Sequence, residues 1–567
     1  MEKNTIVAIV LSLVVILAWN FLYVMPQQQR LEEQQARMRE QQAQTPSPVA
    51  PVQPQMPVTT GIPSAGIAPR ALNEQAEKIV VETPLLRVTL SAQGGRALSW
   101  QMLAHKAADG QPVELVSDDA RQRGQLPLEV FTGNAALDEE LNTGLYQASL
   151  PSLRLNAADE AKSLTLTYAT AQAGTFTKEL TFHADSYLVD MTLKFLDPSK
   201  AAGTLAVVWG PGLGANLETV AGFEPEVASV AGNAKVVRDL VKKVDGMVTH
   251  NNIEWAAINQ KYFTAAFFPA AQTNSLSMNR LPLQAQGEKK KIEPIREILI
   301  GVGQPLEAGT CRVSLYVGPK ALQELKFAHQ GFERLIDYGT FGFIAAPLAQ
   351  FMTYLYGHVK NYGVVIIVLT VLIKIVFFPL THKSYTSMKK MQDIQPQMRA
   401  LQEKYKGDRQ RLNQEMMKLY GEKGVNPMGG CLPMLLQIPV FFALYQTLSQ
   451  SIELRGASFL WVSDLSATET IFFKPLVLLM GASMFLQQSM TPTTVADQRQ
   501  AQMFKLMPIM FTAMFWNFPA GLVLYWFMNN ILTIGQQYLI NKSGAKKAPS
   551  KWQSEADEKS PSRKRRK

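Results

Sequence analysis

Cysteine is nearly absent from this chain. Its 567 residues hold two, Cys311 and Cys431. That excludes a disulfide scaffold and the paired CxxC ligands of a zinc site. Histidine is scarce as well: His105, His183, His250, His329, His358 and His382 stand far apart, and none forms an HExxH. No G-x-x-x-x-G-K-[ST] loop occurs, so the chain shows no ATP motor of its own. One stretch, Gly210-Pro-Gly212-Leu-Gly214-Ala215, fits G-x-G-x-x-[GA] in form. A dinucleotide site also needs a helix opening there, and the following NLETVAGFEPEV is a poor helix, so it reads as a glycine-rich turn. No metal, cofactor or catalytic constellation is expected, and the chain does not read as an enzyme. Charge is thin too, at 18% against 47% hydrophobic residues. Such a mixture implies a soluble part joined to a membrane part.

What is present is a series of apolar runs. The first, Thr5 to Met25, is long enough to cross about 30 Å of hydrocarbon and has no cleavage pattern behind it. Residues 1–26 therefore read as an uncleaved signal anchor. Residues 27–74 are a Gln/Pro-rich linker that cannot bury enough surface to order itself. From 75 to 320, short alternating segments such as SLTLTYAT (163–170) and YLVDMTLKFL (187–196) predict a large β-sandwich. In 321–350, Leu325, Phe332, Leu335 and Ile336 fall near helical spacing, which predicts an amphipathic helix at a membrane surface or a plain linker helix. Five apolar segments follow within 351–541, at about 361–380, 428–449, 471–490, 503–519 and 521–540. Residues 542–567 form a basic tail.

Orientation follows from the Lys/Arg bias. The loop 381–427 holds ten Lys/Arg against five Asp/Glu, and the tail 542–567 holds ten more, so both are expected in the cytoplasm. The connection 451–474 has only Arg455 and Lys474 and belongs outside. Counting back puts the β domain outside and both termini inside. The expected fold is a polytopic α-helical membrane protein of six spans with a large external β-sandwich. Cys311 and Cys431 then lie in different compartments.

The polar residues inside the apolar segments carry the most information. VVIIVLTVLIKIVFFPLTH (364–382) contains Thr370 and Lys374, four apart and so on one helix face. Lys374 lies five residues before Pro379, the expected cytoplasmic end of the span, close enough to snorkel to water. The alternative is a charge lining a wet cavity. Gln437 and Gln446 interrupt the second segment, and Asn529, Asn530 and Gln536 the last. Within 381–427, Met388, Met391, Met398 and Met416 lie on an apolar stripe broken at Lys406-Gly407-Asp408. This predicts an antiparallel helical hairpin, either offering a methionine face to apolar partners or packing on itself.

The stretches FFPLTHKSYTSMKKMQ (377–392), NPMGGCLPMLLQIPVFFALY (426–445), LWVSDLS (460–466) and FPAGLVLYWFMNN (518–530) resemble the YidC family of membrane protein insertases in its Gram-negative form. The resemblance runs over the whole length. It implies an inner-membrane location, a periplasmic β-sandwich, and a hydrophilic groove open to the cytoplasm and to lipid but closed to the outside. The groove's single positive residue, typically arginine, matches Lys374 here. A substrate-contacting threonine matches Thr370, and a substrate-facing tyrosine falls at Trp526, with Tyr525 beside it. Gln437, Asn529 and Asn530 complete the expected groove. Implied partners are nascent membrane proteins, ribosome–nascent chain complexes, membrane lipids and the Sec translocon (SecY, SecE, SecG, SecD, SecF), but not DNA. The active form is expected to be a monomer. The competing readings are a small-solute transporter, which should show inverted repeats that this sequence lacks, and a structural membrane scaffold.

Overall fold

The computed structural model describes residues 70–545 apart from 108, 198–202, 215–225, 231–234, 272, 281–297, 426–431 and 491–497. The expected signal anchor, most of the linker, the tail beyond Ala545 and Cys431 lie outside the described residues.

From Lys78 to Pro319 the chain is rich in sheet. The described strands form one sheet of nine and two of five. Pairing is antiparallel except where Lys78–Glu82 meets Ser152–Arg154. The period-two pattern works as expected. Leu188–Phe195 buries Val189, Met191, Leu193 and Phe195 and turns Asp190, Thr192 and Lys194 to the other face. Strands such as Trp255–Asn259 and Thr204–Trp209 are apolar on both faces and buried on both. All three sheets feed one core, which includes Trp100, Trp209, Phe182 and Phe267. The turn at Gly210 allows no side chain: a Cβ there would stand 2.7 Å from the carbonyl oxygen of Ile298.

This core also contains charge. Arg96 is 0% exposed. Its guanidinium donates to Glu129 at 2.9 Å and to the Gly124 carbonyl at 2.8 Å. Glu129 also takes Arg70 at 2.8 Å, which ties the start of the described chain to the domain. Lys178 is buried as well; its Nζ donates to the carbonyls of Gly94 at 2.7 Å and Leu128 at 2.9 Å, over the ring of Tyr146. Burial, and then the neighbouring Arg96, push the Lys178 pKa down to about 7, against a partial opposing pull from Glu129.

The described helices are α1 (Asp118–Arg123), α2 (Ala135–Thr143), α3 (Leu322–Ala328), α4 (Gly342–Val359), α5 (Tyr362–Asp393), α6 (Gln395–Lys404), α7 (Arg409–Lys423), α8 (Leu432–Gln450), α9 (Pro475–Met490), α10 (Gln498–Phe515) and α11 (Ala520–Ala545). The single amphipathic helix expected over 321–350 is not there. Short α3, two 3-10 turns and the start of α4 replace it. Gly331 and Gly339 take left-handed backbone, with φ of +83° and +64°, which a continuing helix cannot contain. The apolar stripe is real but faces the sheet: Leu325, Phe332, Leu335 and Ile336 are buried in the core of the β region. Phe332 meets Trp255, Phe268 and Tyr316 edge-on.

Pro379 does not end its helix. Helix α5 runs through it for 32 residues, about 48 Å, into the expected hairpin. Proline at 379 leaves the Ile375 carbonyl without its helical donor, and the next turn is held by Thr381 Oγ1, which donates to the carbonyls of Phe377 and Phe378 at 3.0 Å. Among the described residues, α5 is the one helix long and apolar enough to cross a membrane by itself. At the other end of the bundle, the segment after α8 joins the β region. Ile452 enters the sheet core, Glu453 accepts from the Leu322 amide at 3.2 Å, and Arg455 lies over the Phe263 ring at 5.7 Å.

Two tests follow from the buried charges. Replacing Glu129 with Gln leaves Arg96 buried without an anion and should cost about 3–5 kcal/mol, read by chemical denaturation with tryptophan fluorescence. Between pH 7 and 10 the unfolded chain holds a proton that folded Lys178 releases. Stability should therefore rise with pH across that window, by at most about 1.4 kcal/mol per unit. Lys178→Met should flatten the rise in unfolding midpoint between pH 7 and 9.

Candidate functional site

Helices α5 and α11 run parallel, and polar side chains line their seam. Lys374 Nζ donates to Thr533 Oγ1 at 2.8 Å. Lower down, Gln536 Nε2 donates to Thr381 Oγ1 at 2.7 Å, and Tyr385 hydrogen-bonds with Gln537. On the other side of α11, Gln437 of α8 donates to Asn529 Oδ1 at 3.0 Å and also bonds Tyr525. Each is an interhelical bond of the kind that holds polar groups inside hydrocarbon.

These helices enclose a narrow crevice of about 20 Å³, room for about one water molecule, lined by Ile373, Lys374, Phe377, Leu380, Thr381, Gln437, Val440 and Asn529. The lining is mostly apolar with a few converging polar groups. It contains one charge, Lys374, and no carboxylate. About 28 Å of helix separates Lys374 from the end of α5 at Asp393. Its ammonium points across to α11 rather than along the helix to water.

The other sequence-selected residues divide. Thr370 is 1% exposed and its hydroxyl turns back to the Ile366 carbonyl at 2.6 Å; it shares a face with Lys374 but is not among the crevice residues. Trp526 packs with Phe441, Phe511 and Phe515, at 4.9, 6.1 and 5.2 Å between ring centroids. Of the two neighbouring aromatics, Tyr525 is the one joined to the polar cluster. Asn530 faces α9 and donates to Ser483 Oγ at 3.0 Å. In the hairpin, Met391 and Met398 are buried with Ile394, Leu419 and Val425, and Met416 packs against them. That methionine face is the hairpin's own core, because α6 and α7 are short and have no other apolar surface to bury. Met388 precedes this core and is half-buried; the methionine left exposed is Met417.

Sequence reasoning missed Thr533, Thr381 and Ser483. The available signal was spacing: Thr533 lies one turn below Asn529 and faces the same way.

Above the crevice the bundle is closed. The Gly521 amide donates to the Leu465 carbonyl and the Ala520 amide to that of Ala467, both at 2.8 Å. Buried Glu469 accepts from Trp461 Nε1 at 2.7 Å and from the Leu476 amide at 3.0 Å. Tyr362, Ile366, Leu369, Leu465 and Leu522 fill the space between.

The family model of the YidC periplasmic domain matches residues 78–351, and that of the 60Kd inner membrane protein matches 354–547. A membrane protein insertase YidC of Syntrophus aciditrophicus is 37% identical over 568 residues, covering 96% of this chain and 100% of that relative. The chain belongs to the YidC family of membrane protein insertases. A second YidC, from Pelobacter propionicus, is 37% identical over 561 residues and covers 96% of this chain and 99% of its own length. The crystal structure of an active YidC insertase with its first transmembrane domain resolved is 18% identical and covers 83% of this chain and 95% of that one, with a TM-score of 0.37. The sheet-rich region is thus the YidC periplasmic domain, and α5 to α11 belong to the inner-membrane part.

The closed end offers a test. A Cβ on Gly363 would lie 2.1 Å from Phe459 Cδ2 of the loop 451–474, whereas nothing lies within 4 Å of one on Gly421 in the hairpin. Gly363→Ala should cost about 1–3 kcal/mol through overpacking. Gly421→Ala should stabilise α7 by about 0.5–1 kcal/mol. Thermal unfolding in detergent reads both.

Proposed function

We propose that this chain inserts nascent membrane proteins into the inner membrane by physical guidance, without chemistry and without ATP. The observation that carries the reading is Lys374, a single cation turned into a crevice between α5, α8 and α11 that holds no carboxylate. A polar or acidic flank of a client enters this groove from the cytoplasm. It is partly solvated there, so less of the bilayer is crossed with unsatisfied polar groups. Lys374 attracts the carboxylates of the flank. The client's apolar segment moves sideways into lipid, and burial worth about 25 cal/mol per Å² of apolar surface drives its release.

The topology proposed with this reading has six spans, both termini in the cytoplasm, and the groove open to cytoplasm and lipid. The basic surface of 381–427 and the tail receive the ribosome–nascent chain complex. The protein works as a monomer, alone or beside the Sec translocon. Lysine in place of the family's usual arginine supplies a point charge without a bidentate fork, so the groove selects for negative charge rather than for carboxylate geometry.

Purified protein in liposomes should insert a small single-span client with an acidic N-tail faster than empty liposomes do. Lys374→Ala should slow insertion of the acidic-tailed client about tenfold, the loss expected for one charge-assisted contact, and spare a neutral-tailed one. Lys374→Arg should retain both rates. Equal rates for wild type and empty vesicles would sink the reading.

A further inference from the structure

We infer that Thr533 is a positioning residue: its hydroxyl holds the Lys374 ammonium in the crevice and thereby makes insertion selective for clients with carboxylates in the leading flank. The inference rests on the insertase reading above and adds to it the group that makes the lysine usable.

A threonine hydroxyl has one proton to give and two lone pairs to receive with. Thr533 Oγ1 gives its proton to the Asn529 carbonyl, one turn above, at 2.6 Å. Its lone pairs are therefore left facing outward, and Lys374 Nζ donates to one at 2.8 Å. The Asn529 side chain separately accepts from Gln437 of α8 at 3.0 Å through Oδ1. The ammonium is thus held by a hydroxyl whose own proton is tied to the backbone of α11.

Three features make this arrangement suit a client rather than the protein's own stability. The partner is neutral, so it orients the charge without cancelling it. The crevice lining contains no carboxylate that would do so. And an ammonium has three N–H donors, of which Thr533 takes one. The crevice holds about one water, so a carboxylate that parts the α5–α11 seam and displaces that water can accept from another N–H without displacing the threonine. Without the hydroxyl, the four-carbon stem is free to take other rotamers, and the point charge is no longer held against α11 at the crevice.

The test compares Thr533→Val, which keeps shape and removes the acceptor, with Thr533→Ser, which keeps the acceptor. Both are made in the full-length protein and reconstituted in liposomes. Valine should slow the acidic-tailed client about tenfold while sparing the neutral-tailed one, and serine should restore the wild-type rate. A second readout does not depend on insertion: labelling of Lys374 by a water-soluble amine reagent, followed by mass spectrometry. It should change several-fold in the valine variant and stay at the wild-type level in the serine variant. Unchanged labelling in Thr533→Val, or equal slowing of both clients, overturns the positioning role. Wild-type protein that inserts no faster than empty vesicles overturns the insertase reading instead, and the labelling result still decides where Thr533 holds the lysine.

Discussion

A positive charge on an apolar helix has to be satisfied inside the bundle or carried to water, and much of this core's polar structure follows from the first solution. Lys374 is turned across to α11, which requires an acceptor there, and Thr533 supplies it. Thr533 can do so because its proton is engaged by Asn529. Asn529 is aligned by Gln437, which brings α8 to the same point. The charge thus ties the rotation of α5 to that of α11, and the separate Gln437–Asn529 bond ties α8 to the same turn of α11. Apolar packing alone would leave that rotation loosely specified, since ridges and grooves admit several close alternatives.

The two ends of the bundle are built on opposite principles. Toward the periplasmic domain the helices meet through apolar side chains and through backbone bonds from the loop 451–474, with Glu469 satisfying the first turn of α9. Toward the hairpin, the α5–α11 seam is held by Thr381, Gln536, Tyr385 and Gln537. The two ends thus differ in kind: apolar packing and backbone bonds at the periplasmic-domain end, side-chain hydrogen bonds along the seam at the hairpin end.

Most element types were legible in the sequence; what covers each apolar surface was not. Period two in YLVDMTLKFL gave a strand with the correct inner face, because a strand's pleat leaves no other choice. Helical spacing of Leu325, Phe332, Leu335 and Ile336 marked an apolar stripe but could not say whether lipid or sheet would cover it, and sheet did. The methionines of 381–427 were ambiguous for the same reason. Pro379 was read as the cytoplasmic end of a span; that the helix itself continues through it to Asp393 was not legible, because a proline's effect depends on the packing around it. Lys374 was readable because lysine is rare in such a run. Thr533 was not, because a threonine among apolar residues is ordinary until its partner is known.

The periplasmic domain shows what a buried cation looks like when it serves only structure. Arg96 faces a carboxylate and two carbonyls and leaves no charge uncancelled. Lys178 has a lysine's usual three donors, and two carbonyls and the face of Tyr146 surround them. Like Lys178, Lys374 has a neutral partner, but it differs in having one hydroxyl as that partner, donors to spare and a narrow crevice beside it. Burying an ion without cancelling its charge lowers stability unless something enters to complete it. In the periplasmic domain Arg96 is paired with a carboxylate, and Lys178, held by neutral groups, gives up its proton near pH 7. Lys374 keeps donors free beside a crevice that holds no carboxylate, and it is on this incomplete saturation that the proposed role of the groove rests.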